Sequence, residues 1–152
     1  MNKIKWLRNL WILIMILLLG NSTFSQNTER IKIQITQQGL PSGISYFYSL
    51  DNSRLKVFKI TKTNKILKCY KYLNKIQLDS IVHYTTKIID QNYDSLYFGG
   101  AIDGVLWEFE IEFNETHKKV LIDNYYLESF DNLIVIINNS LPLNRQYIRM
   151  ED

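Results

Sequence analysis

The run from Val105 to Phe113 reads Val-Leu-Trp-Glu-Phe-Glu-Ile-Glu-Phe and alternates apolar and polar side chains almost without a break. A period of two belongs to a β-strand, whose successive side chains leave on opposite faces. Val105, Trp107, Phe109, Ile111 and Phe113 share one face; Leu106, Glu108, Glu110 and Glu112 share the other. Such a strand needs a buried side and a wet side, which is the habit of antiparallel sheets with one solvated face.

Its neighbours can be proposed from turn chemistry. Asp103-Gly104 predicts a two-residue hairpin turn. That turn would place Ile102 opposite Val105, Gly100 opposite Trp107, Phe98 opposite Phe109 and Leu96 opposite Ile111. Downstream, Asn114 to His117 predicts a four-residue loop that sets Ile111 opposite Val120, Phe109 opposite Ile122 and Glu112 opposite Lys119. Both registers bury the same side, and a one-residue slip would break both. The expectation is a meander over 94–124.

Earlier in the chain, alternation predicts strands over Ile31–Ile35, Ile44–Leu50, Leu55–Ile60 and Ile66–Tyr72, separated by turns rich in Gly, Pro, Asn and Ser. The last two are less regular because a lysine recurs at every third position from Lys56 to Lys71, a spacing assigned to edges and turns. Asn74 with Gln77 three residues on predicts a capped helix start, followed by apolar residues at helical spacing to about Asp90. A second helix is expected from about Glu128 to Asn139, and a short strand over Arg145–Met150. The fold class is therefore α+β: an antiparallel sheet (the 94–124 meander plus N-terminal strands) with two helices packed on one face.

The first residues are of another kind. Lys3, Lys5 and Arg8 precede the apolar run Leu10–Leu19, and Thr23 and Ser25 stand where a signal peptidase needs small residues. Residues 1–25 are read as a secretory signal peptide and 26–152 as a single domain. The apolar run is shorter than a membrane-spanning helix requires. The expected location is across the inner membrane, in the periplasm or envelope or secreted; an uncleaved membrane anchor is the alternative. A single alanine among many Ile, Asn, Lys and Tyr suggests a low-GC bacterial source.

Cleavage changes the charge balance. The chain carries 18 Lys and Arg against 15 Asp and Glu. Removing Lys3, Lys5 and Arg8 leaves fifteen bases against the same 15 acids, so the surplus is no argument for nucleic acid or an anionic membrane as a partner. Charge is instead segregated: residues 54–75 hold Arg54 and seven lysines with no acid, while acids dominate 79–131. Cys69 is the only cysteine, which excludes an intramolecular disulfide; its parity with Leu67 marks it as a small buried hydrophobe.

The candidate site is the polar face of the meander. In the expected registers Glu110 lies beside Tyr97, and Glu108 lies opposite Asp123 with Gly99 leaving room above. Facing like charges are unfavourable, so Glu108, Glu110, Asp123 and Tyr97 are binding candidates for a protein partner with a basic surface. The plainer reading is a solvated charge row flanked by the basic half. Asp79, Ser80 and His83 share a helix face, yet a nucleophile and base there lack an oxyanion site. No zinc-ligand spacing, phosphate loop or dinucleotide glycine pattern occurs, so no cofactor or metal is expected. The functional expectation is an exported interaction module, inhibitor-like or immunity-like. The alternatives are a small envelope hydrolase using the same carboxylates and a membrane-tethered structural protein, with membrane contact expected only if the N-terminal segment is retained.

Overall fold

A computed structural model of the chain describes residues 30–38, 43–100 and 104–142; the signal-peptide reading, the Asp103 turn position and the Arg145–Met150 strand lie outside them. Seven strands form one sheet: β1 (Ile31–Gln38), β2 (Ser45–Asp51), β3 (Arg54–Ile60), β4 (Lys65–Tyr72), β5 (Leu96–Phe98), β6 (Leu106–Phe113) and β7 (Thr116–Asp123). Two helices, α1 (Lys75–Asp90) and α2 (Glu128–Asn139), complete the α+β fold. The spatial order is β4-β3-β2-β1-β6-β7-β5.

Strands β1 to β4 form a meander, each antiparallel to the next. The long-range join is β1 to β6, with Ile33 opposite Ile111 and Ile35 opposite Phe109. Alternation makes both strands one-sided, so pairing them merges their apolar faces. Ile31, Ile33, Ile35, Phe109 and Ile111 are all within 1% of full burial. Helical residues complete this core: Ile81, Ile88, Phe130 and Leu133 are fully buried, and the Phe130 ring meets Phe109 edge-on at 4.7 Å.

Two expectations about β6 need correction. The hairpin across Asp103-Gly104 does not form: β5 pairs with β7 in parallel, Tyr97 opposite Ile122, so the sheet is mixed rather than purely antiparallel. To pass from β5 to β6 the chain must cross the end of β7, where Asn124 sits. A Cβ on Gly99 would fall 1.7 Å from the Asn124 carbonyl oxygen, and one on Gly104 would fall 1.1 Å from its side-chain Oδ1. These glycines serve that close crossing, not a tight hairpin or room for a ligand. The second correction is the β6–β7 register. Asn114 and Glu115 alone make the turn, with Asn114 at φ 53°, and Phe113 faces Thr116. Asn114 is locked to the start of β1: its N–H donates to the Arg30 carbonyl at 2.8 Å, and its Oδ1 accepts from Arg30 N at 3.0 Å. The resulting two-residue slip preserves parity, so the buried face of β6 is the expected one.

Local signals in the helices are obeyed closely. Gln77 N donates to Asn74 Oδ1 at 2.9 Å and Asn74 N to Gln77 Oε1 at 3.1 Å, a complete capping box. Each helix C-terminus is met by a lysine from the sheet. Lys118, on the core side of β7 opposite Ile111, donates to the carbonyls of Ile88 (2.8 Å), Ile89 (3.4 Å) and Gln91 at the end of α1. Lys71 donates to the Ser140 carbonyl at 2.6 Å, at the end of α2. Cations there satisfy orphan carbonyls and oppose the helix dipole. Lys71 thus departs from the expected edge-and-turn role of the three-spaced lysines. A register shift between Val57 and Phe58 makes Lys68 an extra residue in β4, and the bulge moves later side chains to the other face. Cys69 is half-buried opposite Val57 against the core.

Candidate functional site

The core lies on one side of the sheet; on the other, no described element packs. This open face is where Glu108, Glu110 and Glu112 project. Lys119 and His117 on β7 and Lys32 on β1 share it, because cross-strand partners point the same way. Glu112 faces Lys32 and bonds its Nζ at 2.6 Å. Glu110 faces Lys119 but approaches His117 Nε2 diagonally at 3.2 Å. Glu108 faces Thr36 and Leu121 and takes Lys119 Nζ diagonally at 2.5 Å.

These contacts shift protonation in matching directions. The hydrogen bond from Lys32 is the main cause holding the Glu112 carboxyl below the ordinary range, and the same bond raises the Lys32 ammonium above its own. Glu108, by hydrogen bond and then by charge, raises Lys119 likewise.

Of the four predicted binding residues, the structure gathers two. Glu108 and Glu110 are neighbours on the open face. Asp123 shares that face but lies opposite Leu106 rather than Glu108, since the two-residue slip moved it along the strand. Its Oδ1 accepts from Asn124 Nδ2 at 3.0 Å. The repulsion expected between facing carboxylates is therefore absent by register. Tyr97 is on the core side, opposite Ile122; its hydroxyl accepts from Asp94 N at 2.9 Å, and its ring lies 5.5 Å from Tyr125. It belongs to a packed aromatic corner, not to the carboxylate row.

Nor does the basic segment flank the acids. β4 is four strand spacings from β6, about 19 Å. Its end of the open face is aromatic and cationic. Phe47 and Phe58 sit 6.0 Å apart beneath Lys65, whose Nζ is 4.1 Å and 4.7 Å from the two ring centroids. Tyr70 and Tyr72 meet edge-on at 5.3 Å with Lys56 Nζ 5.9 Å from the Tyr70 ring. Their hydrogen bond is the chief reason the Tyr70 phenol is raised above its ordinary range. The signal that joins these tyrosines to the lysines is the acid-free run over 54–75 combined with the β3–β4 pairing.

On the helix side, Asp79, Ser80 and His83 line an open groove of about 570 Å³ with Tyr84 and Ile136. Ser80 Oγ donates to its own helix at Ile76 O (2.9 Å), and the His83 ring packs edge-on against Tyr84. The hydroxyl is engaged with its own backbone rather than with His83. Among the described residues no three His, Cys, Asp or Glu side chains converge as metal ligands, and no helix is long and apolar enough to cross a membrane. In comparisons with known protein families, curated proteins and solved structures, the chain matches none.

Proposed function

We propose that the chain is a small interaction module exported to the bacterial envelope as a domain of residues 26–152, binding a macromolecular partner with the open face of its sheet, as inhibitor and immunity proteins do. The observation that carries this reading is the open face itself, a broad surface beneath which the helices do not pack. Export is supported by the tripartite N-terminal pattern of residues 1–25. A hydrolase built on the same carboxylates would want them in a cleft; Glu108 and Glu110 instead stand side by side on a strand, 29% and 37% exposed, each beside a basic side chain. A partner with a basic surface would exchange with Lys119, His117 and Lys32, and exposed pairs of this kind exchange at little cost.

The test is recovery of partners from the native envelope on immobilised protein, comparing wild type with Glu108→Lys/Glu110→Lys. The expected result is a protein lost from the variant's eluate. Equal recovery from both removes the acidic row from the binding surface.

A further inference from the structure

Most of the exposed large hydrophobic side chains among the described residues gather in one place. Ile66 (43% exposed), Leu67 (50%), Tyr70 (46%) and Tyr72 (63%) lie on β4, the outermost strand at one edge of the sheet, and Ile76 (78%) follows in the first turn of α1. The same stretch is the acid-free run. Arg54 is joined to Asp51, but Lys56, Lys59, Lys62 and Lys65 meet no carboxylate among the described ion pairs. Surplus positive charge and exposed apolar surface therefore coincide on one edge. Lys65 and Lys56 lie over aromatic rings, so their ammonium groups stay flush with the apolar surface.

The mixture itself indicates the occupant. Cores of protein–protein interfaces are depleted of lysine, whereas here Lys56 and Lys65 lie directly over aromatic rings of the patch. At a membrane–water boundary the mixture is favourable: aliphatic side chains enter the acyl layer, tyrosines rest at headgroup level, and lysine stems lie along apolar surface while their heads reach phosphate. We propose that the β4 edge lies on an anionic phospholipid bilayer, with Leu67, Tyr72 and Ile76 dipping into the boundary and Lys62 and Lys65 binding headgroup phosphates. The acidic row, four strands away, then faces off the membrane. This contact is independent of residues 1–25 and of whatever the acidic row binds.

The experiment uses the protein as processed in its native envelope, in a Cys69→Ala background that frees the single cysteine position. An environment-sensitive fluorophore is attached through Leu67→Cys, or through Phe98→Cys on the opposite edge, and mixed with vesicles of phosphatidylcholine alone or with an equal part of phosphatidylglycerol. The expected result is a blue shift at position 67 with the anionic vesicles only, and none at 98. The shift should fade with salt, and with Lys62→Glu/Lys65→Glu partitioning should weaken by more than about fivefold per position, the factor for losing one positive charge, because each reversal also adds a negative one. Circular dichroism checks that each variant is folded, and the labelled protein with native lysines carries the test if the reversed one is not. A retained Leu10–Leu19 run would tether the protein to either vesicle, so the position-specific shift decides. An equal shift with both vesicles, a shift at 98 but not 67, or binding to soluble polyglutamate without any shift overturns the proposal; the last outcome points to an acidic polypeptide instead.

Discussion

The two ends of the sheet's open face are both charged, yet only one is neutralised on the spot. At the β6–β7 end three glutamates in a row are met by Lys32, Lys119 and His117, two of them on β7 and one on β1. At the β3–β4 end Lys56 and Lys65 have no carboxylate among the described ion pairs, and the side chains they lie over are aromatic. The difference follows from position. A central strand has neighbours on both sides that can carry complementary charge; an edge strand has one, and β4's neighbour β3 is itself basic. A run of charge in a sequence therefore says little about local field until the neighbouring strands are known.

Three experiments probe that contrast. The largest effect is expected from the buried side of the acidic strand. Phe109→Ala removes a fully buried ring that meets Phe130 and should cost about 3–5 kcal/mol in urea unfolding. Leu67→Ser at the basic edge should stay within about 0.5 kcal/mol. Comparable losses would mean that β4 is tied to the core as firmly as β6.

A smaller effect is expected at the helix ends. Lys118→Met should destabilise by about 1 kcal/mol, since three carbonyls at the end of α1 lose their hydrogen-bond donor, and Lys71→Met by less, since one does. The pH dependence separates these hydrogen bonds, which stabilise, from the buried charge, which costs. Burial, partly offset by Asp90, lowers the Lys118 ammonium below 10.5, so the unfolded chain holds its proton to higher pH. Wild-type stability should rise as pH climbs from that lowered value towards 10.5, and Lys118→Met should lack the rise.

The smallest effect concerns the ion pairs. Glu112 titrates below 4.5 in the folded state, so its contribution is present above 4.5 and lost as pH falls through the folded value. Glu112→Gln should flatten the acid limb of the stability curve slightly. An unchanged acid limb would show that Lys32 contributes nothing there.

Much of the fold was legible because its signals are local. The Asn74–Gln77 capping box, the apolar spacing of both helices and the buried parity of β6 depend on residues within a few positions of one another. What was illegible depends on distant partners. Asp103-Gly104 is a strong hairpin signal in isolation, but β1, some eighty positions away, competes for the same edge of β6 and supplies Ile33, Ile35 and Lys32 across it. The glycines look the same in sequence whether they turn a hairpin or clear Asn124. The candidate site shared this fate. Glu108 and Glu110 were placed on the right face by parity alone, whereas Asp123 and Tyr97 needed the register and the strand order. Lysine at every third position concealed a bulge, which no periodicity argument detects.

The pairing of β1 with β6 also has a consequence in time. Ile31 finds its partner in Phe113, so the centre of the sheet closes only after most of the chain is present. Until then β1 has one neighbour, β2, and an apolar face with half of its core missing. Contacts this distant in sequence make folding slow, because the long loop must close before the contact repays it. A chain of this topology emerges from synthesis unfinished and cannot complete its sheet until its last third arrives.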